Sequence, residues 1–391
     1  MKSRISAELN NLAAALGVNK SAVFYDGDFF GVAKTLAPYG KIAALYSASV
    51  FGKRGKEYSA QFKAAGIKPL NFIMPEGVTL NLENVFDVIG VPEDVRAIAA
   101  FDRTLMPIAA YLATVFGIPL IYLLNSVETE NVLSPKAPFY LGGKTDYFTL
   151  SCPYHIVIGE NACGGDIAEQ YINVVGKLTA LSDYRVKVNI CGTRPDSAAY
   201  GAVKSAVLSA FADSDVKAET LLLSGLKIEL ANLASNGAII YNSAEFSFKR
   251  IAGLKYPKGV NFALFKKLLG LYKLCAEEKV DPFIVPDYNN RARSLAEITQ
   301  SDDGAFLKGF LRQLRYLKKR GDFSDLKAEF INELNSQQAV IAATEKKYKA
   351  LGGLVAEDFS PYLAALKLCG DLPDTMNFMT LVRESGFTEN I

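Results

Sequence analysis

The sequence predicts an α/β N-terminal domain on a parallel sheet, followed by an all-α helical-bundle C-terminal domain. Three observations lead there. Up to about residue 160, short and nearly continuous apolar runs alternate with helical patterns, as strands covered by helices on both faces require. Beyond 160 the strand signals stop, and apolar residues recur at three- and four-residue spacing. A chain of 391 residues also exceeds what one hydrophobic core commonly serves, so it divides into 1–160 and 161–391.

The N-terminus opens as an amphipathic helix, without the apolar core of a signal peptide. Strand-like runs follow at 22–25, 42–46, 70–74, 97–101 and 119–124, with helical patterns at 55–65 and 105–116 among those between them. Their order is that of an open, nucleotide-binding type of sheet. His155, the one histidine, lies in a further strand-like run at 153–158, where it reads as a core residue rather than a ligand. The second part carries periodic segments at 165–182, 198–213, 219–234, 262–278, 304–319, 324–351 and 361–369. Phe306, Phe310, Leu311, Leu314 and Leu317 show the spacing.

With 50% hydrophobic and 21% charged residues the chain is an ordinary globular protein, not a disordered one. A net charge of +2 gives no electrostatic reason to expect nucleic acid or an anionic membrane as partner. No apolar window of about 20 residues exists to span a bilayer. Five cysteines (Cys152, Cys163, Cys191, Cys275, Cys369) form no C-x-x-C pair. Their odd number and wide spacing suit free thiols in the cytoplasm.

The segment Asn173-Val174-Val175-Gly176-Lys177-Leu178-Thr179-Ala180-Leu181-Ser182-Asp183-Tyr184-Arg185 resembles a helix signature of the glycerol-1-phosphate dehydrogenases. These belong to the superfamily of iron-containing alcohol dehydrogenases and dehydroquinate synthases. The resemblance extends over nearly the whole chain and implies a Rossmann-like domain followed by a dehydroquinate synthase-like helical domain. It further implies NAD or NADP as cofactor, a small polyol or phosphorylated ligand, and room for a homo-oligomer.

Several positions depart from the family pattern. The glycine-rich turn that approaches the pyrophosphate corresponds to Phe101, Asp102 and Arg103, with Thr104 next. Glycine serves there because a missing Cβ lets amides reach the phosphates. The Asp102 carboxylate would repel that anion and Arg103 would partly offset it. The family's Asp and Lys of this motif fall on Pro107 and Ala110. Ser47 stands where an acid binds the ribose diol, followed by Lys53, Arg54 and Lys56, which read either as a 2′-phosphate site or as a solvated helix face. The loop 125–134 resembles the one lining the substrate pocket. It includes Ser126, and it has Glu130 and Asn131 where the family has Asp and Gly. Gly142-Gly143-Lys144-Thr145 resembles the G-G-K-T of dehydroquinate synthases, in which the lysine binds a phosphate or phosphonate; a hairpin turn is the other reading.

The resemblance assigns the metal ligands to Asn173, Phe246 and Lys258. Asn is a weak neutral donor, Phe no donor, and Lys a cation where the metal would sit, so no metal is expected. Lys258, paired by Glu245 or Glu130, could supply an ammonium that stabilises an oxyanion in the metal's place, with Lys177 of the signature as a further catalytic candidate. The alternative for Lys258 is a solvated turn. Near the C-terminus, 372–383 resembles the family's closing helix, with Asn377 in place of an arginine. Three functions follow: a divergent polyol-phosphate or alcohol dehydrogenase, a non-catalytic descendant that binds a small ligand or acts as a regulatory or scaffold subunit, and a synthase-type lyase.

Overall fold

The computed structural model describes residues 3–27, 33, 36–75, 85, 89–141, 144–253, 257–277, 287–299, 301–321, 337–356, 358–372 and 375–384. In chain order the elements are α1 Ser3–Ala15, β1 Val23–Asp26, β2 Lys41–Ser47, α2 Lys56–Ala64, β3 Lys68–Met74, β4 Ala97–Ala100, α3 Met106–Phe116, β5 Leu120–Leu124, β6 Lys136–Leu141, β7 Lys144–Thr149 and β8 His155–Ile158. Then come α4 Ile167–Val175, α5 Lys177–Cys191, α6 Ser197–Ala212, α7 Ala218–Ala234, α8 Ala244–Ala252, α9 Val260–Glu277, α10 Tyr288–Thr299, α11 Asp303–Arg320, α12 Gln337–Ala350, α13 Leu363–Leu368 and α14 Phe378–Glu384. No described helix is long and apolar enough to cross a membrane.

The chain forms two compact units, Met1–Asp166 with Lys217–Asn236, and Ile167–Val216 with Gly237–Ile391. A single division at 160/161 therefore does not describe the contacts. The helix expected at 219–234 sits with the first unit, because α7 packs on α1 and Lys227 pairs with Glu8 at 2.5 Å.

In the first unit six strands run parallel in the order β1-β8-β5-β4-β2-β3. From β2 the chain steps to β3 on one side, then returns to β4 on the other. The carboxyl ends of β2 and β4 therefore flank the topological switch point, where open α/β sheets bind ligands. The four inner strands β8, β5, β4 and β2 are apolar because both faces are buried: Ile42, Ala44 and Tyr46 of β2 pack with Tyr58, Phe62 and Phe101 in one core cluster. The β1 edge is closed by Asn10, whose amide donates to Phe24 O and accepts from Phe24 N, both at 2.9 Å. That side chain replaces a neighbouring strand.

β6 and β7 form an antiparallel hairpin with Leu141 opposite Lys144, which accords with the turn reading of that segment. Gly142 and Gly143 lie outside the described residues.

The described part of the second unit is helical throughout. Val186, Phe248, Leu264, Tyr272, Phe310, Leu366 and Met379 belong to its core. The segment expected as one helix at 165–182 is two, α4 and α5, meeting at Gly176. A Cβ there would lie 2.7 Å from Ile172 O, so only glycine fits the junction without movement. Two helices, α8 and α10, were not expected from periodicity; of 324–351 only the part from 337 falls among the described residues.

Candidate functional site at the carboxyl edge of the sheet

Ser47 ends β2 and Asp102 follows β4, so the topology brings them to opposite sides of the switch point. The Ser47 hydroxyl donates to Asp102 Oδ2 at 2.6 Å. The other carboxylate oxygen accepts from the Thr104 amide at 2.9 Å and the Thr104 hydroxyl at 2.8 Å. Asp102 thereby caps the 3-10 turn Arg103–Leu105 that leads into α3, satisfying an orphan helix-end amide. Three of the predicted cofactor residues thus form one hydrogen-bonded chain across the crevice.

The other two are held by Glu128. Arg103 Nη1 lies 3.2 Å from Glu128 Oε2. Ser126 Oγ donates to the same oxygen and accepts from the Glu128 amide, both at 3.3 Å. Arg103 therefore pairs with Glu128 rather than offsetting Asp102; at this exposure such a pair contributes about 0–1 kcal/mol. Phe101 does not stand in the crevice either. Its ring is buried beneath it, stacked on Tyr46 with centroids 4.4 Å apart. Of the basic cluster, Arg54 is bound to Glu57 at 2.8 Å and lies over the Tyr58 ring. Lys53 and Lys56 are exposed, as in a solvated helix face.

Beside the crevice, a cleft of about 180 Å³ opens between the start of α3 and the loop after β5. Met106, Pro107, Ala110 and Val132 make an apolar wall, and Arg103, Thr104, Glu130, Ser134, Lys136 and Ser151 add charges and hydroxyls. The short side chains at Pro107 and Ala110 leave this space open. Its volume corresponds to about six water molecules. Glu130 is part of this cleft's wall. Lys144 belongs to a described strand, but its side chain is outside what is described.

The loop carrying Glu130 is held by a residue that sequence reasoning missed. Glu229 on α7 is buried and accepts from the Asn131 amide at 3.2 Å and the Leu133 amide at 3.1 Å. Asn131 adopts φ +65°, which asparagine tolerates better than most residues. Cys152 donates to Leu133 O at 3.3 Å. Its thiol is pushed up to about 12, first by burial and then by the Glu229 charge. The trace of Glu229 in the sequence is an acid set between Ile228 and Leu230 in the apolar body of α7.

The residues assigned to the metal lie in the second unit. Asn173 Oδ1 accepts from Asn261 Nδ2 at 3.3 Å. Asn261 also donates to Glu169 at 3.1 Å, as does the Gly259 amide at 3.1 Å, while Tyr348 OH donates to Glu169 at 2.6 Å. Phe246 packs its ring on Tyr241 at 5.0 Å. Lys258 is exposed in the turn before α9.

Glu245, considered as a partner for Lys258, is bound by Lys177 at 2.7 Å and Lys249 at 2.8 Å. These three side chains are all buried. A neutral amide oxygen already hydrogen-bonded, a hydrocarbon ring and an ammonium do not fit a divalent cation. Among the described residues no three His, Cys, Asp or Glu side chains gather as a metal site would need. Glu130 belongs to the other unit and is described with its own surroundings.

His155 is a core residue. Tyr39 OH lies 2.7 Å from Nε2 and Tyr25 OH 3.1 Å from Nδ1. Burial lowers its pKa.

The parallel sheet, its switch point and the helical second unit together define the fold of the iron-containing alcohol dehydrogenases. The structure is similar to an iron-containing alcohol dehydrogenase from Thermococcus thioreducens, with TM-score 0.58 and 10% identity over 93% of this chain and 98% of that one. It is also similar to maleylacetate reductase from Rhizobium sp. strain MTP-10005, with TM-score 0.53 and 10% identity over 93% and 94% of the two chains. A probable glycerol dehydrogenase from Sinorhizobium meliloti 1021 gives TM-score 0.51 and 12% identity over 94% and 97%. At these identities the likeness is one of fold, and it agrees with the superfamily resemblance of the sequence. No family model and no curated protein matches the sequence.

Proposed function

We propose that this chain is a dehydrogenase-like protein without metal- and NAD(P)-dependent turnover, which binds a small hydroxylated anion, of the polyol-phosphate type, in the cleft beside α3. The observation that carries the reading is the donor set at Asn173, Phe246 and Lys258: one engaged amide oxygen, no donor, and a cation. A Lewis-acid site needs several anionic or imidazole donors at once. The Ser47–Asp102 bond across the switch point supports the same conclusion for the dinucleotide.

The cleft's chemistry favours the ligand class. Lys136 in the lining offers positive charge to an anionic group, with Arg103 held on Glu128 at the cleft's edge. Glu130 and the hydroxyls of Thr104 and Ser134 match alcohol groups, and the apolar wall matches a short carbon chain. The all-thiol cysteines favour a reducing, cytoplasmic setting.

Metal analysis of purified protein, with calorimetric titration of NAD, NADH and NADPH, tests this. We expect sub-stoichiometric zinc and iron and no dinucleotide binding. Stoichiometric metal, or dinucleotide binding at about 1 μM, would restore the oxidoreductase reading.

A further inference from the structure

The disagreement between this crevice and a dinucleotide has a specific cause. We infer that Asp102 is a built-in anion: its carboxylate takes the position of a phosphate group at the switch point and keeps external phosphates out. The inference deepens the proposed loss of dinucleotide binding by naming the residue responsible.

Two chemical features make the carboxyl end of an open α/β sheet bind phosphate at a switch point. Helix-end amides stand unsatisfied, and the helix dipole presents positive potential to the crevice. Here the helix behind the crevice is α3, eleven residues long and preceded by the turn Arg103–Leu105. The Thr104 amide and hydroxyl, at the head of that turn, point at one oxygen of Asp102 (2.9 and 2.8 Å). From the opposite strand, the Ser47 hydroxyl points at the other oxygen (2.6 Å). Ser47 is itself fixed, accepting from the Val50 amide at 3.4 Å, and is buried.

A doubly coordinated oxyanion held by backbone N–H and hydroxyl donors from both sides of a crevice is how a phosphate would be held. The ligand in this case is covalently attached. Two effects then act against an incoming phosphate. The donors it would use are occupied, and a like charge stands where its own would come to rest.

The surroundings do not relieve that charge. Arg103, the nearest cation by sequence, is paired with Glu128. Arg54, on the β2 side, is paired with Glu57. The crevice is therefore electrostatically complete without an external anion. Replacing the one carboxylate should reopen it, because the donors and helix end remain.

The test uses the full chain, with inorganic pyrophosphate and NADH as probes in calorimetry. Asp102→Ser keeps an N-cap acceptor for the Thr104 amide but is neutral and too short to span to Ser47. Asp102→Asn keeps the span without the charge. Wild type should bind neither probe at about 1 mM. Asp102→Ser should bind pyrophosphate at least about tenfold more tightly, the size of a helix-end anion interaction, with Asp102→Asn between them.

If folded Asp102→Ser binds pyrophosphate no better than wild type, Asp102 is not the excluding group. If Asp102→Ser fails to fold, Asp102→Asn decides: affinity equal to wild type overturns the inference. Tight NADH binding by wild type would instead defeat both this inference and the proposed function. An unresponsive Asp102→Ser with a non-binding wild type defeats the inference alone.

Discussion

Asp183 offers the sharpest quantitative prediction. It lies on α5, within the segment that carries the family resemblance, and is fully buried. One carboxylate oxygen accepts from the Ala244 amide at 2.7 Å, at the head of α8. The other accepts from the Phe378 amide at 2.7 Å, at the head of α14, and from Tyr272 OH at 2.8 Å. Burial raises its pKa from 3.8 to about 7, against the pull of those hydrogen bonds.

The folded state thus holds a proton between about pH 4 and 7 that the unfolded chain has released. The stabilisation is fully present below pH 4 and is lost as pH rises through 7. About three units at 1.4 kcal/mol each give roughly 4 kcal/mol of pH-dependent stability. Asp183→Asn cannot ionise, and its amide turns a donor towards the Ala244 or Phe378 amide, at about 1–3 kcal/mol for the buried mismatch. The chain has no tryptophan, so denaturant unfolding is followed by far-UV circular dichroism from pH 4.5 to 8. Wild type should be the more stable at low pH by the mismatch alone, and as pH rises the difference should shift by several kcal/mol until the variant is the more stable. A gap that stays constant across this window would refute the argument.

Two further substitutions test the supporting structure. Glu229→Gln keeps only one good acceptor for the Asn131 and Leu133 amides, and a buried orphan donor costs about 1–3 kcal/mol. Hydrogen exchange at these amides should therefore accelerate about tenfold or more while the sheet amides keep their protection; unchanged exchange would mean that Glu229 does not anchor the loop. Arg383→Met strips a fully buried guanidinium from Asp371, at 2.8 Å, and from Glu384. Arg291 remains on the second Asp371 oxygen at 2.9 Å, yet Glu384 keeps only Tyr288 OH among its described partners. The loss should be about 3–5 kcal/mol in thermal or denaturant unfolding, and a variant as stable as wild type would show that the network contributes nothing net.

The parallel sheet was legible because burial on both faces leaves an apolar run whatever the neighbouring strand is. Residues 97–100 and 120–124 could hardly be read otherwise. Of the β6–β7 hairpin only the turn was legible, because Pro138 and Asp146 interrupt any alternation that would mark its strands. The α10 helix escaped for a related reason: Arg291, which its sequence suggests is solvated, is buried against Asp371. Glu229 was unreadable in function because its partners are backbone amides 96 and 98 residues away. No local pattern records such a contact. Ser47, Asp102 and Thr104 could be named because the family resemblance maps its cofactor loops onto the end of β2 and the segment after β4. What the sequence missed was that they bond to one another.

The departures from the family resemblance fall into two physical kinds. Asn131 stands where the resemblance has glycine, yet it keeps the left-handed φ the turn requires. Asp102 replaces a glycine and still starts the helix, as an N-cap. Asn377 replaces an arginine and still satisfies buried groups, donating to Cys369 O at 3.1 Å and accepting from the Thr380 amide at 3.3 Å. Each backbone requirement is local, so a single different residue can meet it. A metal centre is not local in this sense: it needs several charged or imidazole donors converging, and each loss weakens the hold of the others. The buried Lys177–Glu245–Lys249 cluster meets a local requirement of the first kind, with both ammonium groups set against the Glu245 carboxylate.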